Sequence, residues 1–179
     1  TAITLGSNNI NTGVASGTSM YVSGAITGSG TLTKDITGTL YLSGANTLYT
    51  GAISVFSGVM NIQNDDALGS SSVATTVTDG AALQIQNNIT IPEQNIYING
   101  GGVSSDGAIR VISGSNQISG VVNLSSAARI NVDAGTLTMT NATNSISFGN
   151  YSLTLGGAAN NTLLGKLNGS GLVVKDGAG

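Results

Sequence analysis

The residues with chemical potential are few and far apart. Among 179 residues there are eight acids, five bases, no histidine and no cysteine. Asp65-Asp66 is the only adjacent acidic pair. As a calcium ligand set or an acid pair it would need both carboxylates on one side. Neighbours along a strand point to opposite faces, so a polar corner ahead of Ala67-Leu68-Gly69 is the expectation. Polysaccharide-cleaving sites gather several acids and a base in one groove. Here Asp79, Glu93, Asp106 and Asp133 are spread along the chain. They would converge, with Arg110 and Arg129 beside them, only if successive strands stacked in register. Lys34-Asp35 recurs as Lys175-Asp176. Such a pair is either a repeated ligand contact or an exposed pair near a corner worth about 0–1 kcal/mol, and the second is expected. Tyr21, Tyr41, Tyr49, Tyr97 and Tyr151 are the candidates for stacking on sugars.

Composition removes whole classes of function. Without His or Cys there is no imidazole base, no thiolate nucleophile and no ordinary transition-metal site. Gly28-Ser29-Gly30 is followed by a lysine at 34 but by no helical pattern, so it is not a phosphate loop. Gly100-Gly101-Gly102 lacks the regular aspartates of calcium-binding nonapeptides. The five bases (Lys34, Arg110, Arg129, Lys166, Lys175) form no patch, and net charge is −3, which argues against nucleic acid. No catalytic, cofactor-binding or metal-binding residue is therefore expected, nor any enzymatic activity or cofactor. No run approaches the roughly 20 apolar residues of a membrane-spanning helix, so no membrane insertion is expected. No basic-then-apolar signal segment opens the chain; a signal for export would lie outside it.

The elements that must position these residues are short strands. Helical stripes are missing, while aliphatic residues recur in alternating pairs: Ile3/Leu5, Met20/Val22, Leu40/Leu42, Ile53/Val55, Met60/Ile62, Leu83/Ile85, Ile89/Ile91 and Ile96/Ile98. The series runs on through Ile109/Val111, Val122/Leu124, Ile130/Val132, Leu137/Met139, Ile146/Phe148, Leu153/Leu155 and Leu172/Val174. Alternation puts both members of a pair on one face. Tyr21 and Tyr41 then face outward, as does Arg110. Between pairs lie Gly, Asn, Asp and Ser, the turn formers. Hairpin signals such as Asn99-Gly100 are too few for a meander, and aromatics, at 4%, are too few for a sandwich core. A β-helix fits better: an all-β solenoid in which each strand pairs with the one a coil below.

The chain also repeats itself. Gly28-Ser29-Gly30-Thr31-Leu32-Thr33-Lys34-Asp35 returns as Gly169-Ser170-Gly171-Leu172-Val173-Val174-Lys175-Asp176, an offset of 141. Ile3-Thr4-Leu5-Gly6 returns as Ile146-Ser147-Phe148-Gly149, an offset of 143. Residues 1–179 are thus expected to form one β-helical segment, slightly more than one repeat of about 141 residues in a longer array. At about 20–25 residues per coil it would make roughly 7–9 coils. Neither end offers a cap, so neighbouring repeats or like chains stacked end to end are the expected partners.

Gly38-Thr39-Leu40-Tyr41-Leu42-Ser43-Gly44-Ala45-Asn46-Thr47, then Tyr49-Thr50-Gly51, Gly58-Val59-Met60-Asn61-Ile62 and Ala67-Leu68-Gly69, preceded by the Gly-x-Gly-x-Leu-x-Lys of residues 28–34, resemble the autotransporter-associated β-strand repeat. These repeats occur in passenger domains of type V secreted proteins and related giant bacterial surface proteins. Ile36-Thr37, where the family prefers Gly-Ala, Leu48, and Ala52-Ile53 depart from the pattern. The resemblance covers residues 23–70 and restarts at 169. It implies a right-handed parallel β-helix, exposed extracellularly or on the cell surface of a Gram-negative bacterium, without catalytic residues. The expected function is a stiff, adhesin-like stalk or passenger segment. The alternatives are a self-associating subunit of an extracellular fibre or sheath and, less in keeping with the residues, a glycan-binding or polysaccharide-active β-helix with a glycan or host-surface ligand.

Overall fold

The computed structural model describes residues 2–179. The chain is a right-handed parallel β-helix of about eight turns. Each turn lays strands on two main faces. Face 1 stacks Ile10–Gly13, Leu32–Asp35, Ile53–Val55, Thr75–Val77, Ile96–Gly100, the first half of Val122–Val132, Ile146–Gly149 and Leu167–Gly169. Face 2 stacks Ser19–Val22, Thr39–Leu42, Val59–Ile62, Ala82–Ile85, Ile109–Val111, the second half of Val122–Val132, Leu153–Gly156 and Val173–Lys175. Val122–Val132 crosses the corner as one extended strand and joins both stacks into a 15-stranded sheet. Face 3 is broken: Ile3–Thr4 pairs with Ile26–Thr27, and Thr90–Ile91, Ser115–Ile118, Thr136–Met139 and Asn160–Leu163 form a separate four-stranded sheet. Every pairing among the described residues is parallel, for example Ile10 on Leu32 on Ile53 on Thr75 on Ile96.

The alternating pairs build the interior. Leu40, Leu42, Ile53, Val55, Met60, Ile62, Leu83 and Ile85 are all buried in one continuous core, and Arg110 points out between buried Ile109 and Val111. Like stacks on like: Leu40 lies on Met60 and Met60 on Leu83; Leu42 lies on Ile62 and Ile62 on Ile85. Burying an aliphatic side chain of this size contributes about 1.5–3 kcal/mol. Pro92 follows the strand Thr90–Ile91, where its missing N–H leaves the ladder intact. Corners require glycine where backbones touch. A Cβ on Gly30 would lie 1.9 Å from the Asn8 carbonyl oxygen of the coil below.

Two expectations change, one at the last coil and one near the first. Leu172/Val174 is not the inward pair. Val173 registers with buried Leu153 and Lys175 with Leu155, so Val173 and Lys175 point inward and Leu172 is exposed. The run Leu-Val-Val-Lys fits either phase, and stacking on the coil below decides. Lys34 is likewise not an exposed corner residue: it registers with Val55, follows Leu32 on the inward side, and is fully buried. At the other end Ile3 and Met20 keep their inward direction but stay exposed, because no described coil lies beneath them.

Candidate functional site

The outward residues of face 2 form a ladder up the molecule: Tyr21 on Tyr41, Tyr41 on Asn61, Asn61 on Gln84, Gln84 on Arg110, Arg110 on Asn131. Parallel register converts one position per coil into a continuous row. The lower rungs are aromatic. The Tyr21 and Tyr41 rings stack at 4.6 Å with 8° between planes. Their inner faces are spent on each other, while Tyr21, the lowest rung, stays 72% exposed. The middle rungs are amides: Asn61 donates to Gln84 (3.2 Å) and Gln63 donates to Asn61 (3.1 Å).

The upper rungs carry the charge. Arg110 Nε donates to Asp133 (2.6 Å) and its Nη1 to Asp106 (3.0 Å). Asn131 donates to Asp133 and accepts from Arg129. Arg129 grips Asp176, two coils away and two residues past its register position at Val174, through both oxygens at 2.7 and 2.8 Å. That fork holds the Asp176 carboxyl below its ordinary range and raises the Arg129 guanidinium above its own. Beside Arg129 a shallow depression of about 250 Å³ opens between Gly100, Gly101, Ser105, Ala127 and Ser152. Its wall is the turn after Gly100, where Ser104 and Ser105 hold φ of 55° and 63°.

Of the acids singled out from sequence, the fold gathers Asp106 and Asp133 around Arg110 and leaves Asp79 and Glu93 apart, both exposed. Each gathered carboxylate is already paired with a guanidinium, so the cluster offers an ion-pair network and no free acid–base couple. Asp65 and Asp66 sit in the corner before Ala67. Asp65 accepts from the Thr90 amide at 2.8 Å, while the Asp66 carbonyl accepts from Asn46 and Gly69. No group of three or more acids fit to hold a metal occurs among the described residues. Tyr49, a sugar-stacking candidate, is instead buried, and its hydroxyl donates to the Gly30 and Ala52 carbonyls. Burial raises its ionisation above the usual tyrosine value.

The second feature is a lysine corner that occurs twice. Lys34 Nζ donates to the carbonyls of Asp35 (2.9 Å), Ile36 (2.6 Å) and Ser57 (3.0 Å). Lys175 Nζ donates to those of Asp176 (2.9 Å) and Gly177 (3.1 Å). Burial pushes the Lys34 ammonium below its ordinary pKa, against the opposing pull of Asp35. The third feature is the pair of open ends. The lower one is an apolar mouth of about 150 Å³ lined by Ile3, Ile10, Met20, Val22, Leu32 and Leu40. Sequence reasoning placed Lys34 outside as half of an exposed Lys-Asp pair near a corner. The signal that could have found it was the phase of Leu32, two residues earlier.

The fold defines the class: a parallel β-solenoid with an ion-paired outer ladder. No protein-family model, curated protein or solved structure significantly matches the chain.

Proposed function

We propose that this chain is a structural segment of an extracellular bacterial surface protein, a stiff stalk or passenger stretch without catalytic activity. One observation carries the proposal: the interior runs unbroken from coil to coil, with aliphatic side chains in register from Leu40 through Met60 and Leu83 to Ile109 and Ile130. A column of that kind resists bending and exposes few backbone amides to proteases. At about 4.8 Å per coil, eight coils give a rod roughly 40 Å long. The resemblance of residues 23–70 to the autotransporter-associated repeat points the same way, toward the surface of a Gram-negative cell. Antibodies raised against the segment should label intact cells that make the protein. Labelling only after permeabilisation would overturn the proposal.

A second proposal, a self-associating fibre subunit, draws on the lower end. Residues 2–33 contain no charged side chain, and the strands Ile10–Gly13 and Ser19–Val22 form an edge with no Lys, Pro or bulge to deter pairing. End-to-end contacts of that kind do not close and would grow as filaments. Light scattering of the isolated segment against concentration tests it, and a monomer at all concentrations excludes it.

A further inference from the structure

The tyrosine rungs of the outer ladder carry a chemistry that packing alone does not use. Tyr21 and Tyr41 are register partners on adjacent parallel strands, Ser19–Val22 and Thr39–Leu42. Their rings stack at 4.6 Å with 8° between planes, the one stacked aromatic pair among the described residues. Parallel strands in register send equivalent side chains out of the sheet in the same direction. The two phenols therefore lie side by side in the same sense, with the ring carbons ortho to each hydroxyl (Cε1 and Cε2) beside their counterparts. Tyr41 has strands on both sides and is still partly exposed. A small diffusible oxidant thus reaches the pair whatever lies beneath Tyr21.

The other tyrosines lack this arrangement. Tyr49 is buried, with its hydroxyl on the Gly30 and Ala52 carbonyls. Tyr97 registers with Thr76 and Asn123. Tyr151 sits in the corner between Ile146–Gly149 and Leu153–Gly156. The chain has no cysteine, so any oxidative tie between its coils falls to another side chain.

We infer that Tyr21 and Tyr41 form an oxidative cross-linking site, where a one-electron oxidant of the peroxidase class, working with hydrogen peroxide, joins the two rings as a dityrosine. Each phenolic O–H gives up one electron and one proton, leaving two phenoxyl radicals whose unpaired spin reaches the ortho carbons. A Cε of Tyr21 then bonds to a Cε of Tyr41. Each bonded carbon loses its hydrogen as a proton and each oxygen takes one proton back, which restores both aromatic rings. The net loss is two electrons and two protons, and these reduce one hydrogen peroxide to two waters. The rings tilt out of the stack as the bond forms, a movement open to side chains on an outward face. Holding the two radicals in contact makes the coupling effectively unimolecular and faster than an encounter between chains. The bond closes the loop from Tyr21 to Tyr41, ties two successive coils and restrains the unfolded chain as a disulfide does. This chemistry is independent of the proposed cell-surface location.

The test treats the 179-residue chain with a haem peroxidase and hydrogen peroxide, raised until Tyr97 or Tyr151 begins to be oxidised. Trypsin then cuts after Lys34 and Arg110, so Tyr21 falls in residues 1–34 and Tyr41 in residues 35–110. Mass spectrometry of the monomeric protein should find these two peptides joined, lighter than their sum by two hydrogen atoms, with fragmentation placing the bond at Tyr21 and Tyr41. The yield should not change with protein concentration and should exceed that of every other tyrosine pair by at least about tenfold. Tyr21→Phe and Tyr41→Phe each keep an aromatic ring in the stack, so the fold read by circular dichroism should persist while the link disappears. Oxidised Tyr97 or Tyr151 with no joined peptide would overturn the inference. So would links found only between two chains and growing with concentration, or a link that survives in either Phe variant.

Discussion

The corner at residues 34–38 and the corner at 175–179 share backbone, lysine and carbonyl partners, yet one is interior and the other is surface. The difference teaches what holds this fold. Local sequence sets the turn: an inward lysine curls onto the next two carbonyls in both places. The difference in burial comes from the coil above: Val55 registers over Lys34, and among the described residues no strand registers over Lys175. In a solenoid each unit contacts only its neighbours, so stability is added one interface at a time. Paired substitutions at matched positions can therefore measure the interface apart from the turn.

The largest contrast should come from charge in the stacked interior. Leu42 lies between Val22 and Ile62 and is almost fully buried. Leu42→Asp places an unpaired carboxylate there and should cost more than about 4 kcal/mol, enough to unfold a domain of ordinary stability. Leu172→Asp, on an exposed residue of the uncovered coil, should stay within about 0.5 kcal/mol. Urea denaturation followed by circular dichroism reads both. Comparable losses would mean that the end coil is packed as tightly as the interior.

The next contrast is at the lysines themselves. Lys34→Ala strips three carbonyls of their donor and opens a gap between Thr12 and Val55, and should cost about 2–4 kcal/mol. Lys175→Ala should cost less than about 0.5 kcal/mol. Lys34 also imposes a pH dependence. Its folded pKa lies below the ordinary 10.5, so in the window between the two the unfolded chain binds more protons. Stability must rise with pH through that window and level off at 10.5. Tyr49 acts oppositely above 10.0, where the unfolded phenol ionises first and stability falls. Denaturant midpoints from pH 7 to 10 should climb in the parent and flatten in Lys34→Met. A flat parent would mean that the three carbonyls fully compensate the buried charge.

The interior was legible because its signal is a two-residue period read against turn residues. Leu40/Leu42 or Met60/Ile62 can satisfy only one face, and the direction of the whole ladder follows. The period fails where several phases fit. Leu172-Val173-Val174-Lys175 offers apolar residues in both, and the choice is made by contact with Leu153 and Leu155. The meeting of Arg110, Asp106 and Asp133 was readable only as a possibility, because it depends on the length of each coil. Asp133 reaches Arg110 from the next coil, two residues past its register partner Asn131, and Asp106 through a turn whose two positive-φ serines carry no sequence signature. Sequence repetition showed that residues 28–35 return at 169–176. It did not show that the copy is turned onto another face, since that rotation is set by the summed lengths of the intervening coils.

The smallest contrast concerns the residue that closes each corner. Ile36 and Gly177 hold the same left-handed backbone, with φ of 61° and 73°. Glycine adopts it freely, whereas for a β-branched residue the Cβ crowds the carbonyl at a cost of about 1–2 kcal/mol. Part of that is recovered, because the Ile36 side chain covers Gly13: its Cδ1 lies 2.9 Å from where a Cβ on Gly13 would stand. The side chain is nonetheless half exposed, so the contact is worth less than the strain. Ile36→Gly should therefore stabilise the chain by about 0.5–1 kcal/mol, and Gly177→Ile should destabilise it by about 1 kcal/mol or, if the uncovered coil frays first, by nothing measurable. Denaturation midpoints decide the first substitution. For the second, amide exchange at Asp176 and Gly177 separates strain from fraying: faster exchange in the variant marks strain, and equally fast exchange in parent and variant marks a coil that opens on its own. Ile36→Gly lowering stability would mean that the contact over Gly13 outweighs the backbone, and that the first corner is held by its side chain while the second is held by its glycine.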